Sequence, residues 1–137
     1  MGVEVTPGGV HDAAEIETAV SSFAMKENGG IVILPHAITR AHEKLTIALE
    51  LRHRLPAVYP SEGSVNAGGL ASYGVDFRDN FRKTAEYVDR ILRGEKPSDL
   101  PVQQPTKFKL AFNLKTAKAI GLEIPPTLLA RADEEIE

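Results

Sequence analysis

Short β-type runs alternate with helical stretches along most of this chain, and nearly every join carries a proline or a glycine. Strands separated by helices in this way build a parallel sheet with right-handed crossovers. The pattern therefore predicts an α/β domain of three layers, α/β/α, around a mostly parallel sheet. The 137 residues suffice for one such domain with a real core.

The expected strands are Val3 to Thr6, Ile31 to Leu34, Ala57 to Tyr59 and Leu70 to Tyr73, with Phe108 to Phe112 joining late as an edge-type strand. Ile31 to Leu34 is apolar on both sides, as a central strand covered above and below would be. Asp12 opens the first helix, with Glu15 placed for a capping box, and Asn28-Gly29-Gly30 closes it. Thr39 is placed to cap the second helix, whose stripe is Ala41, Leu45, Ala48 and Leu49. Asp76 and Asp79 start a long helix whose inner face is Phe77, Phe81, Ala85, Val88 and Leu92. Residues 94–137 read as a proline-rich tether, the late strand and terminal helices: Leu114 to Ile120, then a last amphipathic stretch from Thr127 to Ile136.

Several functions are disfavoured at this level. A net charge of −3 provides no basic field for nucleic acid. Absence of cysteine removes disulfides and thiolate metal sites. His11, His36, His42 and His53 fall into no H-x-x-x-H or H-E-x-x-H spacing, so no metal site is expected. No G-x-S-x-G elbow supports a hydrolytic triad, and Gly8-Gly9 and Gly68-Gly69 lack the context of a phosphate loop. A receiver-like regulatory domain needs acids at its strand ends, where this chain has Thr6-Pro7, Leu34-Pro35 and Tyr59-Pro60. No enzyme and no cofactor are expected.

Three stretches carry a resemblance. They are Arg54-Leu55-Pro56-Ala57-Val58-Tyr59-Pro60 followed by Ala67-Gly68-Gly69-Leu70-Ala71-Ser72-Tyr73-Gly74-Val75-Asp76; Tyr87-Val88-Asp89-Arg90-Ile91-Leu92-Arg93-Gly94 running to Leu100-Pro101-Val102-Gln103-Gln104-Pro105; and Asn113-Leu114-Lys115-Thr116-Ala117-Lys118-Ala119-Ile120-Gly121 through Ile124-Pro125-Pro126. Together they resemble the carboxy-terminal half of the ABC-transporter substrate-binding proteins, whose better-understood relatives bind aromatic amino acids. The resemblance implies a Rossmann-like lobe, half of a type I periplasmic binding protein, over residues 1–137 as one domain without an amino-terminal lobe. It further implies a small solute such as an aromatic amino acid, held in an interlobe cleft, and a membrane permease as partner. A periplasmic location follows by the same resemblance; the chain shows no secretion signal, so a naturally short product would be cytoplasmic.

In open α/β sheets ligands sit beyond the carboxyl ends of the strands. That rule selects Thr39, Ser61, Glu62, Tyr73 and Asp76 as candidate ligand-binding residues. Thr39 offers a hydroxyl to a carboxylate or caps its helix. Asp76 caps a helix or, as the resemblance implies, accepts a bond from a solute ammonium. Tyr73 and Tyr59 stack on a flat solute or divide between core and surface, and Ser61 and Glu62 are rim contacts or solvated loop. A self-associating domain with no ligand of its own is the alternative function. The family's second lobe opens with a strand and helix preceding the run matched by Val3 to Thr6, so Ile31 to Leu34 is expected to have a bare edge and the chain to form a homodimer.

Overall fold

The computed structural model describes residues 2–26 and 28–137. Its helices are α1 (Ala13–Phe23), α2 (Ala37–Ala41), α3 (Glu43–His53), α4 (Glu62–Asn66), α5 (Phe77–Leu92), α6 (Leu114–Ile120) and α7 (Pro126–Leu129). Its strands are β1 (Ile31–Val32), β2 (Ala57–Tyr59), β3 (Ala71–Val75), β4 (Phe108–Asn113) and β5 (Glu134–Ile136). They form a single sheet in the order β1-β2-β3-β4-β5. The first three are mutually parallel, β4 runs antiparallel to β3, and β5 is parallel to β4. The fold is a mostly parallel α/β lobe, as the sequence predicts.

Register decides which side chains share a face. Ile31 aligns with Ala57, and Ile33 and Tyr59 follow on the same side. This face meets Ile47 of α3, while Ile16, Val20 and Leu49 join α1 to α3 beside it. Val32, Val58, Ala71 and Phe112 line up across the opposite face. There Ala71 and Phe112 pack on Ala117, Ile120 and Ile124, so α6 and its following turn supply the third layer.

That third layer stops short of β1. Val32 and Leu34 are each 70% exposed, which corrects the reading of Ile31 to Leu34 as a strand buried on both faces. β1 is an edge strand: its outer side has no neighbour among the described residues, and only alternate side chains turn inward. Residues 3–6 form no strand, and Val3 and Val5 are exposed. β-propensity alone does not make a strand: residues 3–6 pair with no strand, although the outer edge of β1 is open.

Three other readings change. β4 is not an edge strand, because β5 lies beyond it. The stretch from Thr127 to Ile136 is not a helix: one turn, α7, ends at Leu129, and Glu134–Ile136 pairs with β4. The amphipathic face of α5 points to solvent, with Phe77, Phe81, Ala85, Val88 and Leu92 all exposed.

A polar anchor ties α5 down instead. Asp79, the buried residue of that helix, meets Lys83 and Lys107 at 3.0 Å each and Arg82 at 2.7 Å. Hydrogen bonds from Lys107 and Lys83 hold its carboxyl down at about 2.

Candidate functional site

The carboxyl ends of β2 and β3 lie side by side, and the loops leaving them form a depression of about 40 Å³. Pro60, Ser61 and Glu62 line one side, Gly74 to Arg78 the other, and Lys109 closes it from β4. A side chain at Gly74 would place its Cβ 1.9 Å from the Pro60 carbonyl oxygen, so the two loops touch through bare backbone. The volume admits a functional group, not a whole amino acid.

Of the five residues selected from the sequence, three meet here. Ser61 caps α4, its hydroxyl oxygen accepting the Gly63 N–H at 3.2 Å. Glu62 accepts from Lys109 Nζ at 3.1 Å, a bond that raises the lysine above its ordinary range. Asp76 caps α5: its Oδ1 accepts the N–H groups of Arg78 and Asp79 at 3.0 and 3.2 Å. The helix uses that one oxygen, which leaves Oδ2 for a further donor. The capping and binding roles weighed for Asp76 are thus compatible.

The other two do not join them. Thr39 does not cap a helix; His36 does, through its ring, and Thr39 lies inside α2. Its hydroxyl donates to the carbonyl oxygens of Leu34 at 2.9 Å and His36 at 3.0 Å, so it closes a turn. The chain then breaks at His42, which rotates α3 relative to α2: Thr46, Ile47, Leu49 and Glu50 are buried there, while Ala41 and Ala48 are exposed. Tyr73 is 60% exposed and stacks on Phe108 with ring centroids 5.6 Å apart. Register puts both rings on the sheet face opposite Gly74 and Lys109. Tyr59, the second aromatic considered for stacking, is buried and belongs to the core.

Sequence reasoning missed Lys109 and Arg78. For Lys109 a signal existed: in Phe108-Lys109-Leu110 the lysine alternates with apolar neighbours and so must leave on the other face. Arg78 sits two residues after Asp76, on the first turn of the helix that the aspartate caps. The depression therefore brings together two carboxylates, Glu62 and Asp76, and two cations, Arg78 and Lys109. Among the described residues no group of histidines and acids is placed to hold a metal ion, and no helix is long and apolar enough to cross a membrane.

Comparison with known proteins places the lobe in a family. Residues 1–136 match the family model for ABC transporter substrate binding proteins, and the chain belongs to that family. It is 26% identical over 120 residues to a tyrosine-binding protein of Clostridioides difficile, covering 88% of this chain and 34% of that protein. A crystal structure of a conserved domain protein from Vibrio cholerae superposes with a TM-score of 0.78 at 27% identity, covering 90% of this chain and 42% of the other. An ABC domain from Streptococcus pneumonia in complex with L-Trp gives 0.77 at 26% identity, covering 93% and 44%. The chain thus spans about a third of the curated relative and under half of each solved structure.

Proposed function

We propose that this chain supplies one wall of a binding site for an aromatic amino acid, as the solute-binding part of an ABC-type importer, and catalyses nothing. The observation carrying this reading is the meeting of Ser61, Glu62 and Asp76 with Arg78 and Lys109 where β2 and β3 end. Asp76 Oδ2 accepts the solute ammonium and Arg78 faces its carboxylate, charge-assisted bonds that fix the amino-acid backbone. The bound L-Trp of one solved neighbour and the tyrosine of the curated relative support an aromatic side chain. The opposite wall comes from a second lobe, and a membrane permease receives the solute. An exported, periplasmic setting belongs to the same reading.

An Asp76→Ser variant tests the ammonium role cleanly. Serine still caps α5 but carries no charge. L-tryptophan binding should weaken about tenfold or more, roughly 1.4 kcal/mol, with little change in melting midpoint. Unchanged affinity removes the assignment. The free edge of β1 beside exposed Val32 and Leu34 favours a second reading, a self-associating homodimer without a ligand. Sedimentation velocity at micromolar concentration decides it: a single 14.9 kDa species contradicts the dimer.

A further inference from the structure

One carboxyl group closes the loop that carries half of this wall. Glu50, at the end of the second turn of α3, is 1% exposed. Its Oε2 accepts from the Tyr59 hydroxyl at 3.0 Å, and its Oε1 accepts from the Leu70 N–H at 3.0 Å. Tyr59 is the last residue of β2 and Leu70 immediately precedes β3, so both ends of the segment 60–69 are held by the same side chain. Glu43, seven residues earlier on the same face of α3, accepts from Ser64 Oγ at 2.6 Å and holds the segment's middle. The Tyr59 ring packs directly on Gly69, where an added Cβ would come within 2.7 Å of the nearest ring carbon.

We infer that Glu50 is a positioning residue of the binding wall: by clasping Tyr59 and Leu70 it fixes the loop that presents Ser61 and Glu62 to the solute. This rests on the proposed solute site for its purpose, though not for its geometry. The groups facing Glu50 are all uncharged or negative. Tyr59 comes from β2, the Leu70 amide from the start of β3, and Glu43 from its own helix, acting through Tyr59. Among the described residues no lysine, arginine or histidine pairs with it. Burial raises its carboxyl to about 7, even though the bonds from Tyr59 and Leu70 favour the charged form. The clasp consequently changes charge near neutrality. Neutral, the carboxyl donates to Tyr59 and accepts from Leu70. Ionised, it is a buried anion with no counter-ion.

Two labelled samples of the ligand-free chain test this, wild type and Glu50→Gln, followed by NMR from acid to mildly alkaline pH. Glutamine accepts from Leu70 and donates to Tyr59, so it reproduces the neutral carboxyl. In the wild type the Glu50 carboxyl carbon should titrate near pH 7. The amides of Ser61, Gly63, Ser64 and Leu70 should shift with the same midpoint, and in Glu50→Gln they should stay flat. Loop amides that do not follow the titration of that carbon, whatever its midpoint, overturn the inference, whether or not the variant folds. So does a loop midpoint that survives in Glu50→Gln, which would assign the titration to another group. None of these signals involves solute; a chain that binds no amino acid yet shows them refutes the proposed function alone.

Discussion

Gly74→Ala is expected to cost at least about 3 kcal/mol and to lower the melting midpoint by roughly 10 °C or more. The new Cβ would lie 1.9 Å from the Pro60 carbonyl oxygen and 2.8 Å from its carbon. Both are backbone atoms, so no rotamer change relieves the clash. β3 must move away from the end of β2, yet Tyr59 and Ser72 are held in register between those strands. Solute affinity should fall with stability, because Gly74 and Pro60 line the depression itself. Gly8→Ala is the control, since nothing lies within 4 Å of its Cβ position. Thermal melts followed by circular dichroism decide the matter. A Gly74→Ala protein as stable as the control would mean that the loops do not approach through bare backbone.

The second large effect is at Glu50, and its sign with pH is opposite to that of a salt-bridged acid. Its carboxyl lies at about 7 in the folded chain, against 4.5 for the free group, so the native state binds the proton more tightly. The resulting stability is complete below about pH 4.5 and is lost as pH rises through 7. The full span is on the order of 3 kcal/mol. Asp79 acts in reverse. Held at about 2, it contributes stability above its ordinary value of 3.8 that disappears as pH falls toward 2. Glu50→Gln should abolish the loss on the neutral side and leave the acid limb in place. Glu50→Ala should cost about 2–4 kcal/mol even at pH 5, because the Tyr59 hydroxyl and the Leu70 N–H are left buried without their partner. Urea titrations at several pH values measure both, and equal pH profiles for wild type and Glu50→Gln would contradict the account.

The class of fold was legible because it depends on periodicity and punctuation, which are local. Pro56, Pro60 and Gly121 bound elements where the sequence predicts, and Asp12, Asp76 and Asn113 accept from the amides that open helices. What could not be read is which apolar surface meets which. The stripe from Phe77 to Leu92 has helical spacing, and it is amphipathic as expected. Its direction depends on whether another layer exists to cover it, and here Asp79 does the anchoring. Val3 to Thr6 fails for a related reason: strand propensity is present, yet propensity does not specify which edge, if any, the segment pairs with.

The site shows a similar division. Counting from strand ends found Ser61, Glu62 and Asp76, because loops that leave neighbouring parallel strands converge. It included Thr39, whose hydroxyl is engaged by the backbone of its own turn. It included Tyr73, which a one-residue difference in strand parity places on the other face from Gly74. Lys109 enters from a strand 35 residues beyond Gly74, through an antiparallel pairing that no local pattern specifies. Glu50 was invisible for a different reason. A glutamate in a helix ordinarily faces solvent, and only the packed structure shows it between Tyr59 and Leu70.

The central claim, that the loops after β2 and β3 form one wall of an aromatic amino-acid site, is tested most directly by mapping where such a solute touches the chain. L-tryptophan is titrated to millimolar concentration into the nitrogen-15-labelled protein while the backbone amides are followed. The account predicts saturable shifts at Ser61, Glu62, Gly74, Asp76, Arg78 and Lys109, weaker ones with L-leucine, and none at Gly121 or Leu122. Absence of saturable shifts, or shifts centred on Leu122 and the turn beyond α6, would contradict it.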